Sequence, residues 1–216
     1  MTADEVKHMG IFSSDNPVIQ WLDTFVDHLL LQLLTLVFSL PVVTIGAAEA
    51  AKYYTAQKLA RKETVHVLGT FIRGFRTNFK QGLFLEIVAA VALAILAVDW
   101  FIVVSFDFGL ISYGLLSVVA VVTLMVWIIL TYAFPLLARY HASLWGVLKN
   151  AFAIGLGKFG TSVLMVLCDA AILVGCYIWI LYAVFIWLIG GTLVLMAKSW
   201  LLTRVFDSLT ITSEDN

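Results

Sequence analysis

Five long apolar runs constrain this chain more than any other feature of its sequence. A helix needs about 20 apolar residues to cross the roughly 30 Å hydrocarbon core of a bilayer, and each run is close to that length. Only 12% of the 216 residues are charged, which is about half the share found in soluble domains. The pattern predicts an all-α, polytopic membrane protein in which residues 1–216 form a single integral-membrane domain within the lipid bilayer. The five predicted spans cover residues 21–40, 83–105, 110–134, 161–179 and 187–206.

The boundary between the fourth and fifth spans is marked weakly. Residues 161–206 are too many for one helix that crosses a bilayer once, so a turn must divide them. Aromatic residues flank positions 180–186 in the way they flank a membrane surface, which favours a turn there. Gly190 and Gly191 are an alternative position for the break.

Basic residues are concentrated between the spans. Seven of the thirteen Lys and Arg residues lie between Pro41 and Gln81. Residues 41–82 and 136–160 are predicted to be basic interfacial regions with amphipathic helices on the cytoplasmic side, because apolar residues recur there at helical spacing. Lys and Arg are retained on the cytoplasmic side of a membrane. With five spans, this predicts a cytoplasmic C-terminus and an N-terminus on the opposite side.

Within the first basic region, residues 65–80 separate into two faces. Apolar side chains form one stripe, and Arg73, Arg76 and Lys80 lie on the other side. This arrangement predicts a separate helix lying in the headgroup plane, with the second span beginning after it. The net charge of the whole chain is only −1, so no nucleic-acid partner is expected.

A proline, a threonine and a glycine mark an elbow after the first span. Pro41 ends that span, because proline cannot continue a helix without losing a hydrogen bond. The hydroxyl of Thr44 is suited to cap the next helix, and Gly46 lets two helices approach closely. The free N–H groups of a helix start can also hold an anion. A purely structural elbow and an anion site are both consistent with this pattern.

Two charged residues lie inside predicted spans. Ionisable groups are costly in a membrane, so each is a candidate for function. Asp169 lies in the fourth span and Lys198 at a similar depth in the fifth. If the two helices are antiparallel neighbours, the residues form an ion pair. The alternative is that Lys198 extends to the interface while Asp169 bonds a hydroxyl such as that of Ser199.

The first span carries a polar cluster of Asp23, Asp27 and His28 near its start. Paired carboxylates on one helix face can bind a cation or relay protons. The alternative is an interfacial helix start, where acidic side chains complement the helix dipole. Glu86, near the start of the second span, is expected to pair with Lys80 or Arg76.

No catalytic motif is present in the sequence. Walker A, GxSxG, HExxH and CxxC patterns are all absent, and the four His residues are widely spread. Cys168 and Cys176 are about 12 Å apart along a helix, too far for a disulfide. The expectation is a protein that is not an enzyme and that uses no cofactor and no metal.

Two stretches near the elbow follow the pattern of a known family. Leu40 to Ala47 reads LPVVTIGA, and Phe71 to Gln81 reads FIRGFRTNFKQ, which includes Asn78. These residues resemble the YesL family, small multi-span bacterial membrane proteins whose central region is a domain of unknown function. Residues 132–140 and 148–152 are also similar to that family. Glu49 departs from it, because a small or hydroxyl residue is more common there.

The resemblance implies a location and a context. It places the chain in the bacterial cytoplasmic membrane, as a multi-pass protein. It also implies a link to carbohydrate uptake, with subunits of sugar ABC importers as partners. No catalytic residue is established for the family, so the resemblance implies none here.

Two function hypotheses follow. The first is an accessory or regulatory protein of carbohydrate uptake that acts through partner contacts. The second is a small secondary transporter or channel, which allows a homo-oligomer. The second requires Asp23, Asp27, Asp169 and Lys198 to line one water-accessible cavity.

Overall fold

The chain folds into a helical bundle. The computed structural model describes residues 17–106, 109, 111–140 and 143–214, with side chains described up to residue 207. Of these residues, 92% are helical and none lies in a strand. The helices are α1 (Pro17–Phe38), α2 (Ile45–Ala60), α3 (Val67–Ser105), α4 (Ile111–Arg139), α5 (Leu144–Gly157), α6 (Phe159–Ile178) and α7 (Gly191–Glu214).

Five segments of the described chain are long and apolar enough to cross a membrane. They are α1, α3, α4, α6 and the stretch Ile180–Asp207, which ends within α7. Their outer surfaces carry many exposed large apolar side chains, which suits contact with lipid rather than water. The predicted all-α, multi-pass membrane fold is therefore confirmed.

Helix α3 joins two segments that the sequence separates. It runs without interruption for 39 residues, about 58 Å at the usual rise per residue. The expected headgroup-plane helix over residues 65–80 and the second span are therefore one element. No proline divides them, and the N-terminal half of α3 packs along α2. On its apolar stripe, Phe71 is buried in the core, while Leu68 and Phe79 remain exposed.

Helix α2 lies at the centre of the bundle, in contact with α1, α3, α4 and α7. Ten of its sixteen residues are buried, and many of them are alanines. Small side chains let neighbouring helices approach closely, so this composition suits a helix enclosed on several sides. Most of the surface of α2 is therefore covered by protein, and the interfacial position of residues 41–82 stays a prediction.

The first two helices form an antiparallel hairpin. Thr24 and His28 of α1 share a cavity with Lys62, which follows α2. Further along, Gln32 faces Lys52 across a second cavity. The start of α1 therefore lies at the same end of the bundle as the end of α2.

That end also holds Arg139, the last residue of α4, which lines a cavity with Arg61. Arg139 Nη2 donates to Asp207 Oδ1 of α7 at 2.8 Å, so this part of α7 lies there too. The expected placement of the N-terminus opposite the C-terminus does not agree with this arrangement of α1 and α7. The cause is α2, which reverses the chain direction but is too polar and too short to be counted as a span.

Proline and glycine interrupt the helices less than expected. Helix α4 continues through Pro135 to Arg139, and Gln57 of α2 donates to the Pro135 carbonyl at 3.0 Å. Helix α6 ends at Ile178, and short irregular turns occupy 180–190, the last of them a π-helical turn, Ile186–Gly190. This irregular stretch includes residues 180–186, where the sequence favoured a turn, and it extends to Gly190, the alternative position for the break.

Candidate functional site

An ion pair joins α6 and α7 inside the bundle. Lys198 Nζ donates to Asp169 Oδ2 at 2.6 Å. The Lys198 side chain is 6% exposed and that of Asp169 is 26% exposed. Ser199, the alternative partner, instead donates to the Met196 carbonyl at 2.9 Å. Of the two arrangements left open by the sequence, the ion pair is the one that forms.

A second ion pair lies beside the first and was not anticipated as a site. Lys52 Nζ donates to Glu49 Oε1 at 2.6 Å, one turn apart on α2. The Lys52 side chain is 10% exposed, so the attraction of Glu49 offsets the cost of burying an ammonium. In the sequence, Lys52 counted only as one of seven clustered basic residues. A lysine within a run of alanines was the available signal that it lies in a packed interior.

The two ion pairs meet at a cavity of about 280 Å³. Helices α1, α2, α4, α6 and α7 all contribute side chains to it, together with the π-helical turn. The groups that matter chemically are Gln32, Lys52, Trp127, Asp169, Trp187 and Lys198. Gln32 is 4% exposed, and its Oε1 has no hydrogen-bond partner among the described residues. A buried acceptor without a partner is costly, which makes this cavity the candidate site.

The elbow between α1 and α2 is closed differently from the expectation. The Thr44 hydroxyl lies 2.5 Å from the Phe38 carbonyl and 2.7 Å from the Pro41 carbonyl, so it secures the end of α1. The start of α2 is capped by Glu86 of α3, whose Oε2 accepts from the Gly46 N–H at 3.0 Å. A carboxylate from the protein thus occupies the position where an anion was considered.

This contact also revises the expected partner of Glu86. Its carboxylate is directed at the N-terminus of α2, and the described residues show no ion pair with Lys80 or Arg76. Both the positive end of a helix dipole and the free N–H groups attract a carboxylate. The nearest basic residues in sequence lie on another face of α3.

Two glycines set the distance between α2 and α3. A Cβ on Gly82 would come within 2.8 Å of the Ala47 Cα, and a Cβ on Gly46 would overlap the Gly82 carbonyl. Gly46 therefore permits the close approach that the sequence suggested, and Gly82 is its partner. Asn78 is buried on the same helix and donates to the Gly74 carbonyl at 2.9 Å.

The polar cluster on α1 does not join the cavity. Asp23 is exposed and Asp27 half-buried. His28 is buried, with Nδ1 2.8 Å from the Thr24 carbonyl and Nε2 3.4 Å from the Ser199 hydroxyl. The described residues contain no group of three His, Cys, Asp or Glu that could hold a metal. Of the four residues required for a transport cavity, the structure brings together Asp169 and Lys198.

Comparison with known proteins gives a family match for one part of the chain. Residues 26–100 match a family described as "Protein of unknown function, DUF624". No curated protein matches the chain, and no solved structure matches it. The matched segment is about a third of the chain. It includes the elbow, α2, Gln32 and Lys52, whereas Asp169 and Lys198 lie outside it.

Proposed function

We propose that this protein is an accessory or regulatory membrane protein that acts through contacts with other membrane proteins and not through catalysis. The observation that carries this proposal is the pairing of the interior charges. Lys198 is paired with Asp169 and Lys52 with Glu49, while Asp23 and Asp27 lie outside the cavity that the two lysines line. Charges paired in this way leave no polar stripe along the described part of the bundle.

The resemblance to the YesL family supports a more specific role, in carbohydrate uptake. On this proposal the chain lies in the bacterial cytoplasmic membrane and binds subunits of a sugar ABC importer. The basic end of the bundle, with Arg61, Arg139 and Arg204, faces the cytoplasm, because positive residues are retained there. The C-terminal part of α7 lies at that same end.

Co-purification from mildly solubilised membranes tests the partner. The full chain with a C-terminal tag should recover importer subunits reproducibly. A matched control is a tagged polytopic protein of similar size from the same membrane, which should not recover them. Repeated isolation of the chain alone, under conditions that preserve the importer itself, would contradict the proposal.

A small transporter or channel is the second candidate. The cavity with its lysines and Asp169 favours it, because ionisable groups inside a membrane mark solute or proton paths. Solute flux into vesicles that contain the purified chain, compared with the Asp169→Asn variant, distinguishes the two candidates. If the wild-type chain carries a solute into the vesicles and the variant does not, the transporter or channel replaces the accessory role as the proposed function. If vesicles with the wild-type chain take up no solute, the accessory role is supported.

A further inference from the structure

The central cavity has a charge count that restricts its ligand. The ammonium groups of Lys52 and Lys198 are balanced by the carboxylates of Glu49 and Asp169, so the four groups sum to zero. An ion entering this interior would lose its hydration without finding a net opposite charge. A molecule without net charge does not incur that cost.

The same groups offer hydrogen bonds of both kinds. An ammonium has three N–H donors, and each lysine uses one of them in its ion pair. Gln32 adds an acceptor, Oε1, which has no partner among the described residues. Hydroxyl groups can accept from the ammonium groups and donate to Gln32, because each hydroxyl is both donor and acceptor.

The rest of the cavity wall suits the C–H groups of such a molecule. Trp127 and Trp187 line the cavity, and indole rings provide large apolar surfaces for C–H groups. The volume of about 280 Å³ lies at the lower limit of the roughly 300–1,000 Å³ seen for ligand pockets. The ligand is therefore small.

We infer that this cavity binds a small, uncharged, hydroxyl-rich molecule of the polyol or monosaccharide type. A zwitterion is a poorer match, because its ammonium group would compete with Lys198 for Asp169. The inference concerns ligand binding by this chain alone. It does not depend on partner contacts, so it and the accessory role can fail separately.

Tryptophan fluorescence of the purified full chain in detergent provides the test. Glucose should give a saturable change. Gluconate, glucosamine and serine, which carry charged groups, should bind at least about tenfold more weakly than glucose. Replacing Trp127 and Trp187 with Phe should remove the signal, and Trp200→Phe, which lies outside the cavity, should keep it. A response to glucose that never saturates, or charged probes that bind as tightly, would overturn the inference.

The role of Gln32 is tested with a near-isosteric pair of variants. Gln32→Met should weaken glucose binding about tenfold, which corresponds to roughly 1.4 kcal/mol, one hydrogen bond. Gln57→Met is the control, because Gln57 is also a buried amide but bonds Pro135 away from this cavity. Equal affinity in the wild type and the Gln32→Met variant would contradict the assignment.

A second readout does not depend on the folding of the Gln32 variant. With Cys168 and Cys176 replaced by Ala, a single cysteine at Val194 lies in the cavity wall, and one at Leu193 lies outside it on exposed surface. Glucose should slow thiol labelling at 194 and leave 193 unchanged. Labelling at 194 that is unaffected by saturating glucose would overturn the inference.

Discussion

Glu86 on α3 reaches across to the first turn of α2, where its Oε2 accepts a hydrogen bond from the Gly46 N–H at 3.0 Å. This contact joins residues forty positions apart and caps a helix whose own N-cap residue, Thr44, makes no side-chain cap. It therefore couples formation of the central helix to its packing against α3.

Removing the Glu86 carboxylate should loosen that junction. Glu86→Ala should lower the free energy of unfolding by about 1 kcal/mol, the usual loss for a helix cap. Glu86→Gln keeps an acceptor oxygen and should lose less. Denaturant titration in mixed micelles measures both, with Asp99→Ala further along α3 as the control. Equal stability of the wild type and Glu86→Ala would show that the bond is not needed.

The contact between α2 and α3 should not tolerate a methyl group. Gly82→Ala would place a Cβ 2.8 Å from the Ala47 Cα, and overpacking of this kind costs about 1–3 kcal/mol. Gly114→Ala on α4 is the matched control, since nothing lies within 4 Å of its added Cβ. Thermal unfolding followed by circular dichroism should show a lower midpoint only for Gly82→Ala. If both variants unfold at the same temperature, the helices can separate without cost.

Reversing the charges of the α6–α7 ion pair should have effects that cancel. Asp169→Lys or Lys198→Asp alone leaves two like charges in a mostly buried site, which should cost about 3–5 kcal/mol. The double variant restores an opposite pair and should recover most of that loss. The yield of folded protein from membranes and its unfolding midpoint are the measurements. A double variant that is as impaired as the single ones would mean that the pair contributes little.

The start of α1 and the end of α7 should be reached from the same side of the membrane. Single cysteines at Val18 and Arg204, in a chain without its native cysteines, should react with an impermeant thiol reagent from one side. A cysteine at Tyr182, between α6 and α7, should react from the other. Tyr182 and Val18 are 60% and 61% exposed, so both are accessible in the bundle. Labelling of 18 together with 182 would restore the opposite placement of the two ends.

The helical class and the number of apolar spans could be predicted from local sequence. About 20 apolar residues in a row have few stable arrangements other than a membrane-crossing helix, because every backbone polar group must be bonded within the segment. Distant contacts do not alter that requirement. The elbow at Pro41 and the close approach at Gly46 were likewise visible, since proline and glycine act through local geometry.

The partners of charged residues could not be predicted in the same way. Glu86 was expected to bond a residue close in sequence, but its position on α3 faces the start of α2. Lys52 appeared to be a surface residue until α1, α3, α4 and α7 enclosed its helix. Asp169 and Lys198 could be proposed as partners but not assigned, because their contact requires α6 and α7 to be neighbours at one register.

The sequence alone therefore determined that this protein lies in a lipid bilayer and which segments enter the bilayer. Each segment can be identified from its own apolar composition, over a short stretch of chain. The tertiary structure decided that α2 is a core helix, that α1 and α7 share an end of the bundle, and that two ion pairs meet Gln32 at one cavity. Those outcomes depend on which helix faces pack together. Contacts between residues 29 and 171 positions apart help to fix that choice, and short-range periodicity does not record them.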